Sequence, residues 1–308
     1  MAPHPGAASQ GAGMNEGAVP QTGPNPNTSK PAFELPAGSC DAHVHIYGPR
    51  DMYPFMAGWD TRAFDAPNEW LAAMHARIGV ERCVVVHGAP HGHDLRVTSR
   101  ALSESGGRYR GVALLDPSIS AADLRALHEI GYRGARFNIA RHLGVAPDLD
   151  AMARVVSRIR PLGWHVCLHM TSDQILGYER ELHRLDIALV FDHLIRIDPR
   201  DRLDQAPFVK LQEFLRGGRD WVKLSGFEKL SHEPYPHDDI LAFAAVLVEV
   251  APDRVLWGTD WPHPLSGPDG PPDDGGIVDL IPRYAPDATA QRKLLIDNPA
   301  HLYGFDAV

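Results

Sequence analysis

Beyond residue 36 the chain repeats one pattern: a short apolar run, often β-branched, then a longer amphipathic stretch closed by glycine or a polar turn. The runs Cys40–Ile46, Arg82–His87, Tyr109–Asp116, Gly134–Ile139, Trp164–His169, Ala188–His193, Trp221–Ser225 and Arg254–Asp260 read as strands. Between them Pro67–Ile78, Asp94–Ser105, Ser120–Ile130, Asp150–Pro161, a stretch opening at Ser172-Asp173, Pro207–Arg216 and His237–Val250 read as helices, and Ile277–Tyr284 and Ala288–Ile296 close the chain. The local signals agree. Pro67 sits where a first helical turn tolerates it, Gly106-Gly107 and Gly217-Gly218 end helices, and Ser120-Ala-Ala-Asp123 caps one. Regular strand–helix alternation predicts a parallel α/β fold. Eight such units in roughly 270 residues favour a closed (β/α)8 TIM barrel over an open doubly wound sheet. No GxGxxG follows a strand and no GxxxxGK[ST] occurs, so nucleotide-binding open sheets lose their main support.

Residues 1–36 break the pattern. They are rich in Gly, Pro, Ala, Asn and Ser, and are expected to form a disordered leader ahead of one barrel domain, 37–308. They contain no continuous apolar stretch of the secretory kind, and no run of about 18 apolar residues predicts a membrane span. The formal net charge is -9 with no basic run, which argues against nucleic acid or an anionic membrane as partner. The 3 cysteines, Cys40, Cys83 and Cys167, are scattered among apolar runs and form no CxxC. They read as buried small residues in a reducing, cytoplasmic compartment. The pattern leaves a homo-oligomer open.

In a strand, side chains at i and i+2 share a face, so His43 and His45 project side by side and can grip one metal ion. In a barrel of this kind the chemistry sits at the C-terminal ends of the strands. Those ends carry His43 and His45, then His87, Arg136, His169, His193, Ser225 and Asp260. Burying so many polar groups without partners costs about 1–3 kcal/mol each, and a bound cation offsets that cost.

Asp41-Ala-His-Val-His45, Phe191-Asp-His193 and Trp257-Gly-Thr-Asp-Trp-Pro-His-Pro264 together resemble the amidohydrolase superfamily in its amidohydrolase-2 branch, over about residues 31–305. Leu35 to His43, Tyr47-Gly-Pro49, Arg133 to Asn138 and Pro272-Asp-Asp274 look like its lactonase members. The resemblance implies His43, His45, His169 and Asp260 as ligands of one divalent metal, with Asp260 also taking a proton from water. It implies His193 as the strand 6 histidine beside that water. Binuclear members bridge two metals with a lysine or glutamate on strand 4; Arg136 and Asn138 stand there instead, which implies a single ion. Zinc suits imidazole and carboxylate ligands, and manganese is compatible with them. Arg136, Arg141 and Arg196 match positions that hold substrate anions, Lys229 stands where relatives often have arginine and is expected to act likewise, and His87 and His263 are expected nearby, as supports of the site or as substrate contacts.

The expected function is metal-dependent hydrolysis of a small anionic lactone, of the 4-sulfomuconolactone, muconolactone or 2-pyrone-4,6-dicarboxylate type, in aromatic breakdown. Rivals are a sugar-lactone (galactarolactone-type) isomerase or hydrolase and a non-oxidative decarboxylase of the same branch. Outside the enzymes stands a catalytically dead ligand-binding barrel.

Overall fold

In the computed structural model, residues 23–306 are described apart from 60–62, 141–147, 265 and 267–269. Eight strands form one parallel sheet in sequence order: β1 Cys40–Val44, β2 Arg82–Val86, β3 Tyr109–Ala113, β4 Tyr132–Asn138, β5 His165–His169, β6 Leu189–Phe191, β7 Trp221–Leu224 and β8 Val255–Trp257. Helices α1 Asn68–Ile78, α2 Arg96–Glu104, α3 Ala121–Ile130 and α4 Leu149–Ile159 follow the first four strands. The short helices α5 Ser172–Gly177 and α6 Glu179–Arg184 follow β5, α7 Ala206–Arg216 follows β6, α8 Asp238–Val250 follows β7 and α9 Asp274–Asp279 follows β8. The ring closes just beyond the last strand. Asp260 N–H donates to the His43 carbonyl at 2.9 Å and His45 N–H to the Trp261 carbonyl at 2.7 Å. This is the (β/α)8 barrel expected from the alternation of runs.

The strand period sorts the core into two layers. Val84, Val86, Cys167, Val190 and Leu256 fill the barrel interior. Val85, Val166, Leu168, Val222 and Trp257 face outward, into the layer under the helices. Strand β1 departs from strict alternation. Cys40 and Ala42 belong to the inner cluster, Val44 to the outer one, and the β1–β2 register shifts between Asp41 and Val44. That bulge lets His43 follow Ala42 inward instead of pointing out.

The expected leader divides. Its residues 1–22 lie outside the described ones, but 23–36 lie against the barrel. Ser29 donates its N–H and its hydroxyl to the Asp273 carboxylate at 2.8 and 2.5 Å, and Phe33 N–H donates to Asp279 at 2.7 Å. The fit is close: a Cβ on Gly275 would stand 2.3 Å from the Ser29 carbonyl oxygen. Side chains far along the chain hold this segment, a contact that composition does not reveal.

Candidate active site

The site is built on residues just past the strand ends, several in backbone conformations that cost energy. His193, Leu194, Ile195 and Arg196 all have positive φ, 48–54°, and together make one left-handed turn after β6. Non-glycine residues pay about 1–2 kcal/mol each for such a conformation. Asp260 and His263 after β8 share it, at φ 68° and 58°. Strain concentrated on polar rim residues is a mark of a functional site. The turn brings the His193 ring toward Asp260, just after β8.

Asp41 anchors the β8 end. Its Oδ1 accepts from the Thr259 and His43 N–H groups at 3.0 and 3.1 Å, and its Oδ2 accepts from the Thr259 hydroxyl at 2.6 Å. The aspartate of the Asp-Ala-His-Val-His run therefore fixes the residue preceding Asp260. Close packing helps: a Cβ on Gly258 would lie 2.8 Å from the His43 backbone nitrogen and Cβ.

Around Asp260 the donors converge. His43 Nε2 and His45 Nε2 stand 3.4 Å apart, and Asp260 Oδ1 lies 3.5 and 3.6 Å from them. His193 Nε2 is 3.9 Å from the same oxygen; His43, His193 and Asp260 each offer a ligand atom within 4.8 Å of the others. Donors about 2.0–2.2 Å from a tetrahedral ion lie about 3.3–3.6 Å from one another. The residues present thus fit a divalent ion.

Their protonation fits as well. His45 Nδ1 donates to the Val86 carbonyl at 2.7 Å, which leaves Nε2 with a free lone pair. Burial holds the His43 and His45 imidazoles neutral and lowers the His193 pKa to about 4 against the pull of Asp260. Burial alone would raise the Asp260 carboxyl; Lys229, ahead of His193, His45 and His43, outweighs burial and keeps it ionised. Neutral imidazoles beside a carboxylate are the forms that bind a metal.

His169 flanks this group, its ring 5.9 Å from that of His193 and edge-on to it. Burial, then Arg136 and His193, hold it neutral too. Arg136 is 7% exposed and donates through Nε to Asp192 Oδ2 at 3.1 Å, with Nη2 3.0 Å away. His87 Nδ1 is tied to the Thr98 hydroxyl at 2.8 Å, while its buried Nε2 has no hydrogen-bond partner among the described residues. His263, wholly buried, sits between Asp274 and Glu228. Lys229 reaches Asp260 Oδ2. Arg196 is half-buried and forms no ion pair among the described residues. Arg141 lies outside the described residues.

Two interior residues escaped the sequence reading. Lys223 Nζ lies 3.0 Å from His43 Nδ1 and 3.2 Å from Asp192 Oδ1, and Asp192 Oδ1 is 3.2 Å from His43 Nδ1. The Cys167 thiol donates to the same oxygen at 3.1 Å. Lys223 lies on β7 and Asp192 just past the end of β6, but a lysine inside an apolar run reads as an edge charge until its partner is seen.

The amidohydrolase family model matches residues 40–305, nearly the whole barrel. The chain belongs to the amidohydrolase family. A 2-pyrone-4,6-dicarboxylate hydrolase of Comamonas testosteroni is 41% identical over 90% of this chain and 93% of that protein. A 4-sulfomuconolactone hydrolase of Rhizobium radiobacter is 35% identical over 94% of this amidohydrolase and 97% of its relative. Among solved structures, an apo Agrobacterium tumefaciens protein superposes with a TM-score of 0.79 at 26% identity, covering 90% of this chain and all of that one. No helix among the described residues is long and apolar enough to cross a membrane.

Proposed function

We propose that this amidohydrolase opens a small anionic lactone by hydrolysis, on a ring of the muconolactone or 2-pyrone-4,6-dicarboxylate kind met in aromatic breakdown. The relatives named above support that substrate class. The observation that carries the reading is the 3.4–3.6 Å triangle of His43 Nε2, His45 Nε2 and Asp260 Oδ1, with two cations, Lys229 and Arg196, at its edge.

His43, His45 and Asp260 would hold one divalent ion, zinc by the chemistry of the donors, with His193 or His169 completing the set. Such an ion, when bound, lowers the pKa of coordinated water and polarises a carbonyl. The chain's own residues do the rest. Asp260 accepts the proton of the attacking water and returns it to the leaving oxygen. His193, tied to the Ser225 hydroxyl through Nδ1 at 2.9 Å, presents Nε2 to the reacting group. Arg196 and Lys229 pair with the carboxylate or sulfonate of the ring, where a charge-assisted bond fixes its orientation. Arg136, locked onto Asp192, supports the pocket wall from behind.

The test is turnover of carboxylated and sulfonated lactones by zinc-loaded protein, followed by proton release. Ring opening that disappears in Asp260→Asn is expected. Release of carbon dioxide from an aromatic acid, with the lactones untouched, would replace the reading with decarboxylation.

A further inference from the structure

Asp260 divides its carboxylate between two sets of neighbours. Oδ1 faces the three imidazoles at 3.5, 3.6 and 3.9 Å. Oδ2 takes the ammonium of Lys229. That lysine ends a tight turn, Phe227–Lys229, after β7, and its backbone is well anchored. Glu228 Oε1 lies 3.9 Å from the Lys229 ammonium and 3.5 Å from His263 Nδ1; His263 Nε2 lies 2.9 Å from Asp274 Oδ1. Each His263 ring nitrogen faces a carboxylate, so both carry hydrogens. Charge alternates in sign from Asp274 through His263, Glu228 and Lys229 to Asp260.

This row fixes where the lysine starts, not where its ammonium ends. A lysine carries three rotatable donors on a flexible stem, whereas a guanidinium would lock onto both carboxylate oxygens at once. An anion entering the pocket meets Asp260, which repels it, and, besides Arg136 locked onto Asp192, two cations among the described residues whose charge reaches that carboxylate, Arg196 and Lys229. Of these, Lys229 is already engaged. In a water-poor site, where such pairs are strong, it cannot serve both anions fully.

We propose that Lys229 is a shared cation: it pairs with Asp260 Oδ2 while the pocket is empty and transfers to the anionic group of the bound substrate, uncovering Oδ2. The assignment of that anion to a lactone rests on the proposed function; the competition itself does not. Its consequence is a site that frees Asp260 Oδ2 only when a correctly charged ring is present. A neutral lactone would leave the oxygen covered.

The direct test is calorimetric binding of isophthalate, a planar dianionic ring with no bond to hydrolyse, to chelator-treated protein. Asp260→Asn releases the ammonium and is expected to bind the dianion about ten-fold tighter than the wild type, while Lys229→Met binds about ten-fold weaker. In the double variant the Asp260→Asn gain is expected to vanish. If that gain is the same with and without Lys229, simple charge repulsion explains it and the sharing is overturned; so too if Asp260→Asn binds no tighter. Should Lys229→Met fail to fold, Lys229→Gln carries the same cycle. A wild type that opens no lactone would remove the proposed function and leave this binding cycle intact as a test.

Discussion

Asp192 Oδ1 lies 3.2 Å from the Lys223 ammonium, and both side chains are wholly buried inside the barrel. Neither group stands alone: Asp192 also holds Arg136, and Lys223 also meets His43. Two cations thus share one carboxylate beneath the site.

The sharing makes the two sides of the pair unequal. Asp192→Asn strands two buried cations and is expected to cost about 3–5 kcal/mol of stability. Lys223→Met leaves Asp192 still paired with Arg136 and is expected to cost clearly less. Urea unfolding of both variants checks the order, and equal losses would contradict it.

His263 gives a pH dependence of known sign. Burial would lower its pKa, but Asp274, ahead of Glu228, outweighs burial and raises it to about 10. Below the unfolded value of about 6.5 the ring is charged in both states and its stabilisation is complete. Between about 6.5 and 10 the unfolded chain loses the proton first, so stability falls by at most about 1.4 kcal/mol per pH unit from this group. Urea midpoints measured across that window are expected to decline for the wild type and to flatten in His263→Gln. A parallel decline in both would assign the slope to other groups.

Gly258 tests the closeness of β1 and β8. The atoms a new Cβ would meet at 2.8 Å are His43 backbone nitrogen and Cβ, which cannot swing aside as a side-chain tip can. Gly258→Ala is therefore expected to displace His43, costing about 1–3 kcal/mol of stability together with metal affinity. Zinc titration and a thermal melt check both; a variant that keeps its zinc affinity would mean that β1 yields without moving His43.

Much of this architecture was legible in the sequence. The β-branched runs and their spacing gave the eight strands, and histidines at their ends gave the rim. Three features were not. The bulge in β1 that turns His43 inward after Ala42 leaves no mark in the composition, because Asp41, Ala42 and His43 fit a regular strand equally well. The left-handed turn at His193–Arg196 uses Leu194 and Ile195, residues that ordinarily avoid positive φ, so tertiary packing overrode local preference there. Asp192, just past β6, and Lys223, on the neighbouring β7, lie 31 residues apart, and only the barrel brings their charges together. His263 is expected near the site because it follows Asp260 closely; its place between Asp274 and Glu228 depends on side chains that the sequence does not pair with it.

His169 decides how many imidazoles the ion needs. Loss of a supporting group lowers metal affinity about 10–100-fold, and loss of a ligand lowers it further. His169→Ala is expected to lose both zinc and turnover if it ligates. A loss confined to turnover, with zinc retained, would give the fourth position to His193.

The most direct measurement is metal content against activity in one preparation. Wild-type protein, stripped with chelator and dialysed against zinc, is expected to regain about one ion per chain and lactone hydrolysis together, while His43→Ala and His45→Ala regain neither. Full lactone hydrolysis by the stripped protein, with no metal found by elemental analysis, would contradict the account.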